Sequence, residues 1–288
     1  MMSRPAGADP PAADTRLSDA DVGKVLELLK GATAVELKLV VDHPPGATLR
    51  RLGFDPVEAQ PRQVYFFDTP DLALERAGLI VRARRSAGDR GDTVVKLRPI
   101  DPHSIDAALG RDEALKIELD AMPGGYVCSA SFKGRCSGEE VLQAGDGARP
   151  LKSIFSSAQR AAYRAYAPDD VAPENLRPLG PTFLLRVKRQ PKKFDRPVVV
   201  ELWLYPDSST VLEISTKGAP AEAFQLAAHF RGFLAECGIP VEAAAGSKTA
   251  TALRYFSRQV QGQPGRPGDL QNQVPTLSDQ THPVPPTT

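Results

Sequence analysis

Apolar and charged residues alternate with period two through a series of short runs in this chain. Val81-Arg82-Ala83-Arg84, Val95-Lys96-Leu97-Arg98 and Leu185-Arg186-Val187-Lys188 each set two cations on one face of an extended segment and apolar residues on the other. Acidic residues keep the same beat: Glu36 before Lys38, Glu118 and Asp120 after Lys116, and Glu213 within Val-Leu-Glu-Ile-Ser. The pattern predicts strands near 34–41, 63–68, 79–85, 93–98, 115–121, 182–189, 198–204 and 210–216. Elsewhere the period becomes helical. A helix is expected from Ser18, its cap, to Lys30, with Val22, Val25, Leu26 and Leu29 as its stripe and Gly31 as its stop. A mixed region over 137–168 includes a helical stretch from Leu151 to Tyr166, and two helices, 220–236 and 247–259, follow the last strand. About eight strands plus several helices predict an α+β chain, an antiparallel sheet or barrel braced by helices.

Charged strand faces have two readings. An antiparallel sheet with one wet face also alternates. Yet such faces draw on Thr, Ser and Gln, whereas these are dominated by Arg, Lys and Glu. Paired cations on one strand face repel unless an anion or a neighbouring carboxylate compensates them, which favours a polar interior that takes a polyanion.

Composition limits the partners. The chain has 288 residues, 41% hydrophobic and 25% charged, and a formal net charge of +1. Near-neutrality argues against bulk nucleic-acid binding, so any basic site is local. No apolar run has membrane-spanning length and the N-terminus lacks a signal-peptide core, so a cytoplasmic protein without membrane contact is expected. Cys128, Cys136 and Cys237 show no zinc spacing, and His43, His103, His229 and His282 are scattered. Cys128 reads as a small buried residue, and Trp203 and Tyr205 as wall packing. Arg90-Gly91-Asp92 reads as part of a hairpin loop from Gly88 to Asp92. Residues 1–16 and 259–288, poor in apolar side chains, read as disordered tails around one domain over 17–258.

The stretch Tyr65-Phe66-Phe67-Asp68-Thr69-Pro70, a Leu-rich segment, Gly78 and then Arg82-Ala83-Arg84 resembles the CYTH domain of the triphosphate tunnel metalloenzyme superfamily. Val94 to Arg98, Phe183 to Lys188, Val211 to Lys217 and Gly246-Ser247-Lys248-Thr249 follow in the matching order, so the likeness covers roughly residues 34 to 258. The resemblance implies an eight-stranded antiparallel barrel, a tunnel whose interior binds a triphosphate. It implies Lys38, Arg82, Arg84, Lys96, Arg98, Arg186, Lys188 and Lys248 as substrate-binding residues, with Lys38 and Lys248 catalytic. Glu36, Glu118, Glu201 and Glu213 would be metal ligands for Mg²⁺ or Mn²⁺. Arginine forks suit phosphoryl oxygens and carboxylates suit hard cations. The implied activity is metal-dependent hydrolysis of a small triphosphate, inorganic or organic. A class IV-like adenylate cyclase and a non-catalytic phosphate or polyphosphate binder stand as alternatives. Two positions depart from the family pattern: Ala34 stands where the opening strand has its first glutamate, and Ser215 where a second late glutamate is often found. Both fall on metal-ligand positions.

Overall fold

The computed structural model describes residues 19–41, 44–242 and 248–261. Helix α1 (Asp19–Gly31) leads into β1 (Ala34–Val41), α2 (Pro45–Leu52), β2 (Gln60–Asp68), the short α3 (Ala73–Arg76) and the hairpin β3 (Leu79–Ser86) and β4 (Arg90–Leu97). After α4 (Ala107–Gly110) come β5 (Leu115–Met122), β6 (Gly125–Ser137), α5 (Gly138–Gly145) and α6 (Ser157–Tyr166). Strands β7 (Arg177–Arg189), β8 (Val198–Leu204) and β9 (Thr210–Gly218) precede α7 (Ala223–Glu236) and α8 (Lys248–Val260). The Ser18 cap and the Gly246-Ser247 pair lie outside the described residues, as do most of both tails.

Among the described residues, nine strands close a barrel in the order β1-β5-β6-β4-β3-β2-β7-β8-β9, with β9 returning to β1. The helix-braced α+β barrel is therefore as the sequence predicts, with one strand more than expected. The pairing is also mixed, because β1 and β5 run parallel. The added strand is β6. Its residues are largely Ser, Gly, Ala and Cys, which carry little strand signal. Small residues are needed there. A Cβ at Gly134 would collide with the Gln159 side chain of α6. Gln159 is fully buried over that glycine, donating to the Phe132 carbonyl at 3.1 Å and accepting from the Thr93 hydroxyl at 2.9 Å. The expected Leu151–Tyr166 helix is a 3-10 turn, Leu151–Ile154, followed by α6 with Ser156 as its cap.

Period-two alternation decides which face each residue takes. Outward residues form two apolar layers under the helices. Val35, Leu37 and Leu39 of β1, Val200 of β8 and Ile214 of β9 pack against α1, α2 and α7. Val81 and Ala83 of β3, Val95 and Leu97 of β4, and Phe132 of β6 pack against α3, α5 and α6. Each large buried side chain contributes about 1.5–3 kcal/mol. A third apolar cluster lies inside the barrel at one end, where Phe66, Leu184 and Trp203 meet Ala252, Leu253 and Phe256 of α8. That helix covers the end of the barrel. It is pinned there by Ser257, which donates to the Pro70 carbonyl at 2.7 Å, and by Tyr205, which donates to the Lys248 carbonyl at 3.0 Å.

The Asp-Thr-Pro block is structural. Asp68, nearly fully buried, accepts backbone N–H groups of Thr69, Leu74 and Glu75 at 2.7, 2.9 and 3.0 Å, which fixes the turn and starts α3. Trp203 and Tyr205 are wall residues, as the sequence suggests. Replacing Gln159 by Leu would leave the Phe132 carbonyl and the Thr93 hydroxyl without this buried partner. Urea unfolding of Gln159→Leu is expected to show a loss of about 1–3 kcal/mol with no change in the barrel's circular dichroism.

Candidate functional site

Inward positions of the strands build one polar chamber. The cavity measures about 790 Å³ and is lined by every cation and glutamate that the sequence singles out: Lys38, Arg82, Arg84, Lys96, Arg98, Arg186, Lys188 and Lys248, with Glu36, Glu118, Glu201 and Glu213. Among the described residues, twelve lysines and arginines line this wall with five carboxylates, and Asp120 lies behind them against Lys38. The outward partners Val81, Ala83, Val95, Leu97 and Val187 are buried beneath the helices. The charges thus face one interior and the open-sheet reading of the pattern does not hold.

The carboxylates act as internal counter-ions. Asp120, fully buried, lies 2.9 Å from Lys38 Nζ, 3.5 Å from Lys96 Nζ and 3.6 Å from Arg98 Nη1. Asp92 ties the Arg84 guanidinium at 2.8 Å and that of Arg82 at 3.4 Å. Lys248 enters from the first turn of α8 and sits 2.6 Å from both Glu201 and Glu213, which are register partners on β8 and β9. Its ammonium also lies 5.1 Å from the centre of the Trp203 ring, and Trp203 Nε1 donates to Glu201 at 3.3 Å. Lys217 bridges Glu118 at 2.5 Å and Glu36 at 3.3 Å. The four predicted glutamates therefore share the cavity but fall into two groups, Glu36 with Glu118 and Glu201 with Glu213.

Protonation follows from these contacts. Burial works against the Glu201 carboxylate's charge, but the Lys248 ammonium, with Arg84 and Arg82, overturns that and holds its pKa down to about 2. Burial likewise opposes charge on Lys38, yet Glu36 and Asp120 raise its pKa above the usual lysine value. Lys248 is raised too, against its burial, by Glu213 and Glu201. For Arg62 such compensation falls short: burial, with the neighbouring Arg84 and Arg186, outweighs Glu201 and Asp92 and pushes its guanidinium down to about 10. The Nε atoms of Arg62 and Arg82 are buried without a hydrogen-bond partner. Both arginines line the chamber, and a crowded guanidinium there is what an oxyanion relieves.

Six charged residues near the chamber were not singled out from sequence as site residues. Arg62, Asp92, Lys133, Arg135 and Lys217 line it, and Asp120 lies in its wall against Lys38. Asp120 extends the Lys116-Glu118 beat and Lys217 extends Glu213-Ser215 by one more step of two, so both carried a signal. Lys133 and Arg135 lie on the unforeseen strand β6. Asp92 corrects the loop reading, since the turn spans 87–89 and Asp92 already belongs to β4. Cys128 is buried in the wall, and burial pushes its thiol up to about 11, so it offers no thiolate at neutral pH.

Glu36, Glu118 and Asp120 each offer an oxygen within 4.8 Å of the others. Three carboxylates with oxygen donors only suit Mg²⁺ or Mn²⁺. Asp120 is fully buried, with Oδ1 2.9 Å from the Lys38 ammonium. The residues fit a divalent cation, and the third acid comes from β5 rather than from position 34.

No protein-family model and no curated protein matches the sequence. Among solved structures, a candidate adenylate cyclase from Bacillus halodurans aligns with a TM-score of 0.54 at 13% identity, over 76% of this chain and 97% of that one. A candidate adenylyl cyclase from Hippeastrum, with a dominant triphosphatase activity, aligns at 0.54 and 17% identity, over 80% and 96% of the two chains. The closed, helix-braced barrel is the fold of these two solved structures. The likeness to these two proteins is one of fold. Among the described residues no helix is long and apolar enough to cross a membrane.

Within the tunnel, Lys96 carries a pH signature. Burial pushes its ammonium down to about 8, and Asp120 only partly opposes this. A polyanion beside Lys96 favours the charged form, so binding above neutral pH draws a proton from solution. Affinity for inorganic triphosphate is expected to fall as pH rises through about 8. Calorimetry in buffers of different ionisation enthalpy should register proton uptake at pH 8 that Lys96→Met abolishes.

Proposed function

We propose that the tunnel binds the triphosphate group of a small molecule together with Mg²⁺ or Mn²⁺ and hydrolyses it, as a phosphohydrolase acting on acid anhydrides. The observation that carries this reading is the excess of cations over carboxylates around one chamber. An anion of several charges fits that excess and a neutral ligand does not.

In this reading, Arg82, Arg84, Arg98 and Arg186 hold phosphoryl oxygens with their planar forks, and Lys96 and Lys188 add point charge. Lys38 and Lys248, kept protonated by their carboxylate partners, are the cations set to stabilise the charge that develops as the terminal phosphoryl group passes to water. Glu36, Glu118 and Asp120 would hold one divalent cation, with Glu201 and Glu213 a second acidic pair across the chamber. The metal, when bound, would supply charge neutralisation on the leaving diphosphate. The apolar layer under α8 keeps bulk water from one end of the chamber. The triphosphatase activity in the name of the Hippeastrum structure is in keeping with this reading.

The test is to incubate the protein with inorganic triphosphate, thiamine triphosphate and ATP, with Mg²⁺, with Mn²⁺ and with chelator. Phosphate, pyrophosphate and cyclic AMP are then measured together. Metal-dependent release of phosphate from a triphosphate is expected. Cyclic AMP with pyrophosphate from ATP would select the cyclase instead, and binding without turnover would select a phosphate-binding module. For Arg82→Ala, triphosphate binding should weaken by about 1–3 kcal/mol in calorimetry, the worth of a charge-assisted hydrogen bond. Its thermal stability should hold or rise, because a crowded cation is removed.

A further inference from the structure

Lys217 stands in an unusual place for a lysine beside an acidic triad. Its ammonium lies between Glu118, at 2.5 Å, and Glu36, at 3.3 Å, two of the three carboxylates whose oxygens converge within 4.8 Å. We propose that Lys217 is a tethered cation occupying the divalent-metal position, so that Mg²⁺ or Mn²⁺ enters only by displacing it. This rests on the reading of Glu36, Glu118 and Asp120 as metal carboxylates.

Charge and exposure carry the inference. The three carboxylates are already met by four cations within 4 Å: Lys38, Lys96, Arg98 and Lys217. A divalent ion added to that set has no net negative charge to neutralise, so one cation must leave first. The side chains of Lys38, Lys96 and Arg98 are 13%, 18% and 21% exposed, whereas that of Lys217 is 46% exposed. Lys217 alone can swing into water at little cost. Meanwhile Asp120, fully buried and the register partner of Glu36, is met by Lys38, Lys96 and Arg98, so its charge stays neutralised when Lys217 leaves.

The strand register explains how Lys217 reaches the position. Lys217 on β9 is the partner of Glu36 on β1, and Glu118 on β5 is the partner of Ala34, on the other side of β1. To touch Glu118, the lysine must pass over β1 beside position 34. Position 34 shares the inward face with Glu36, and its methyl group leaves that path open. Ala34 and Lys217 are therefore linked through space: the ammonium lies beside the inward position that a longer side chain at 34 would take.

Mn²⁺ titration of the full chain, read from the paramagnetic resonance of the free ion and without any triphosphate, tests this. Wild type is expected to bind weakly. Lys217→Met should tighten binding by roughly tenfold or more, as removal of a unit charge a few ångströms from the ion requires. Lys217→Arg, which keeps the charge, should stay near wild type, and Ala34→Glu should shift binding in the same direction as Lys217→Met. Equal Mn²⁺ affinity in wild type and Lys217→Met, together with weaker binding in Glu36→Gln, overturns the proposal while leaving the metal carboxylates in place. Binding that Glu36→Gln does not change, or no binding in any variant, removes the metal reading itself and the proposal with it.

Discussion

Charge placed inside a protein has to be neutralised on the spot, and the tunnel is organised around that requirement. Moving an unpaired ion out of water costs several kcal/mol, so a barrel interior carrying twelve cations cannot close on them alone. Here three of the inner carboxylates serve several cations each. Asp120 serves Lys38, Lys96 and Arg98, Asp92 serves Arg82 and Arg84, and Glu201 serves Arg186 and Lys248. The sharing holds the guanidinium and ammonium groups apart and keeps them charged, yet leaves an excess of positive charge facing the chamber. The same contacts thus stabilise the barrel and retain its affinity for an anion.

The outside of the barrel obeys the same alternation with the opposite chemistry. Arg82 on β3 and Lys96 on β4 are flanked in sequence by apolar residues that point out, and these seat the helices. A slip of one residue would put arginine under α5 and valine in the chamber, so the apolar layers fix the register that aims the charges. Packing energy and site geometry are for this reason not separable in this fold.

Legibility from sequence follows side-chain chemistry. Strands β1, β3, β4, β7, β8 and β9 were visible because Val, Ile and Leu alternate there with Lys, Arg or Glu, and all eight cations assigned to the interior do line it. Strand β6 was not, because its faces are made of Ser, Ala, Cys and a glycine that Gln159 requires, and no propensity scale marks such a run. With β6 went Lys133 and Arg135. The parallel contact of β1 with β5 is a long-range pairing that local pattern cannot specify, and it alone brings Glu36 beside Asp120. That is why the acid absent at position 34 read as a loss, when a carboxylate from another strand stands beside the gap.

Helix α8 makes the barrel a vessel with a floor. Leu253 and Phe256 lie on Phe66, Leu184 and Trp203, while the exposed lysines and arginines at 133, 135, 188 and 217 stand at the other end. A ligand that enters past the rim meets the exposed cations first and Lys248, on the first turn of α8, last, so depth along the barrel orders the charges it encounters.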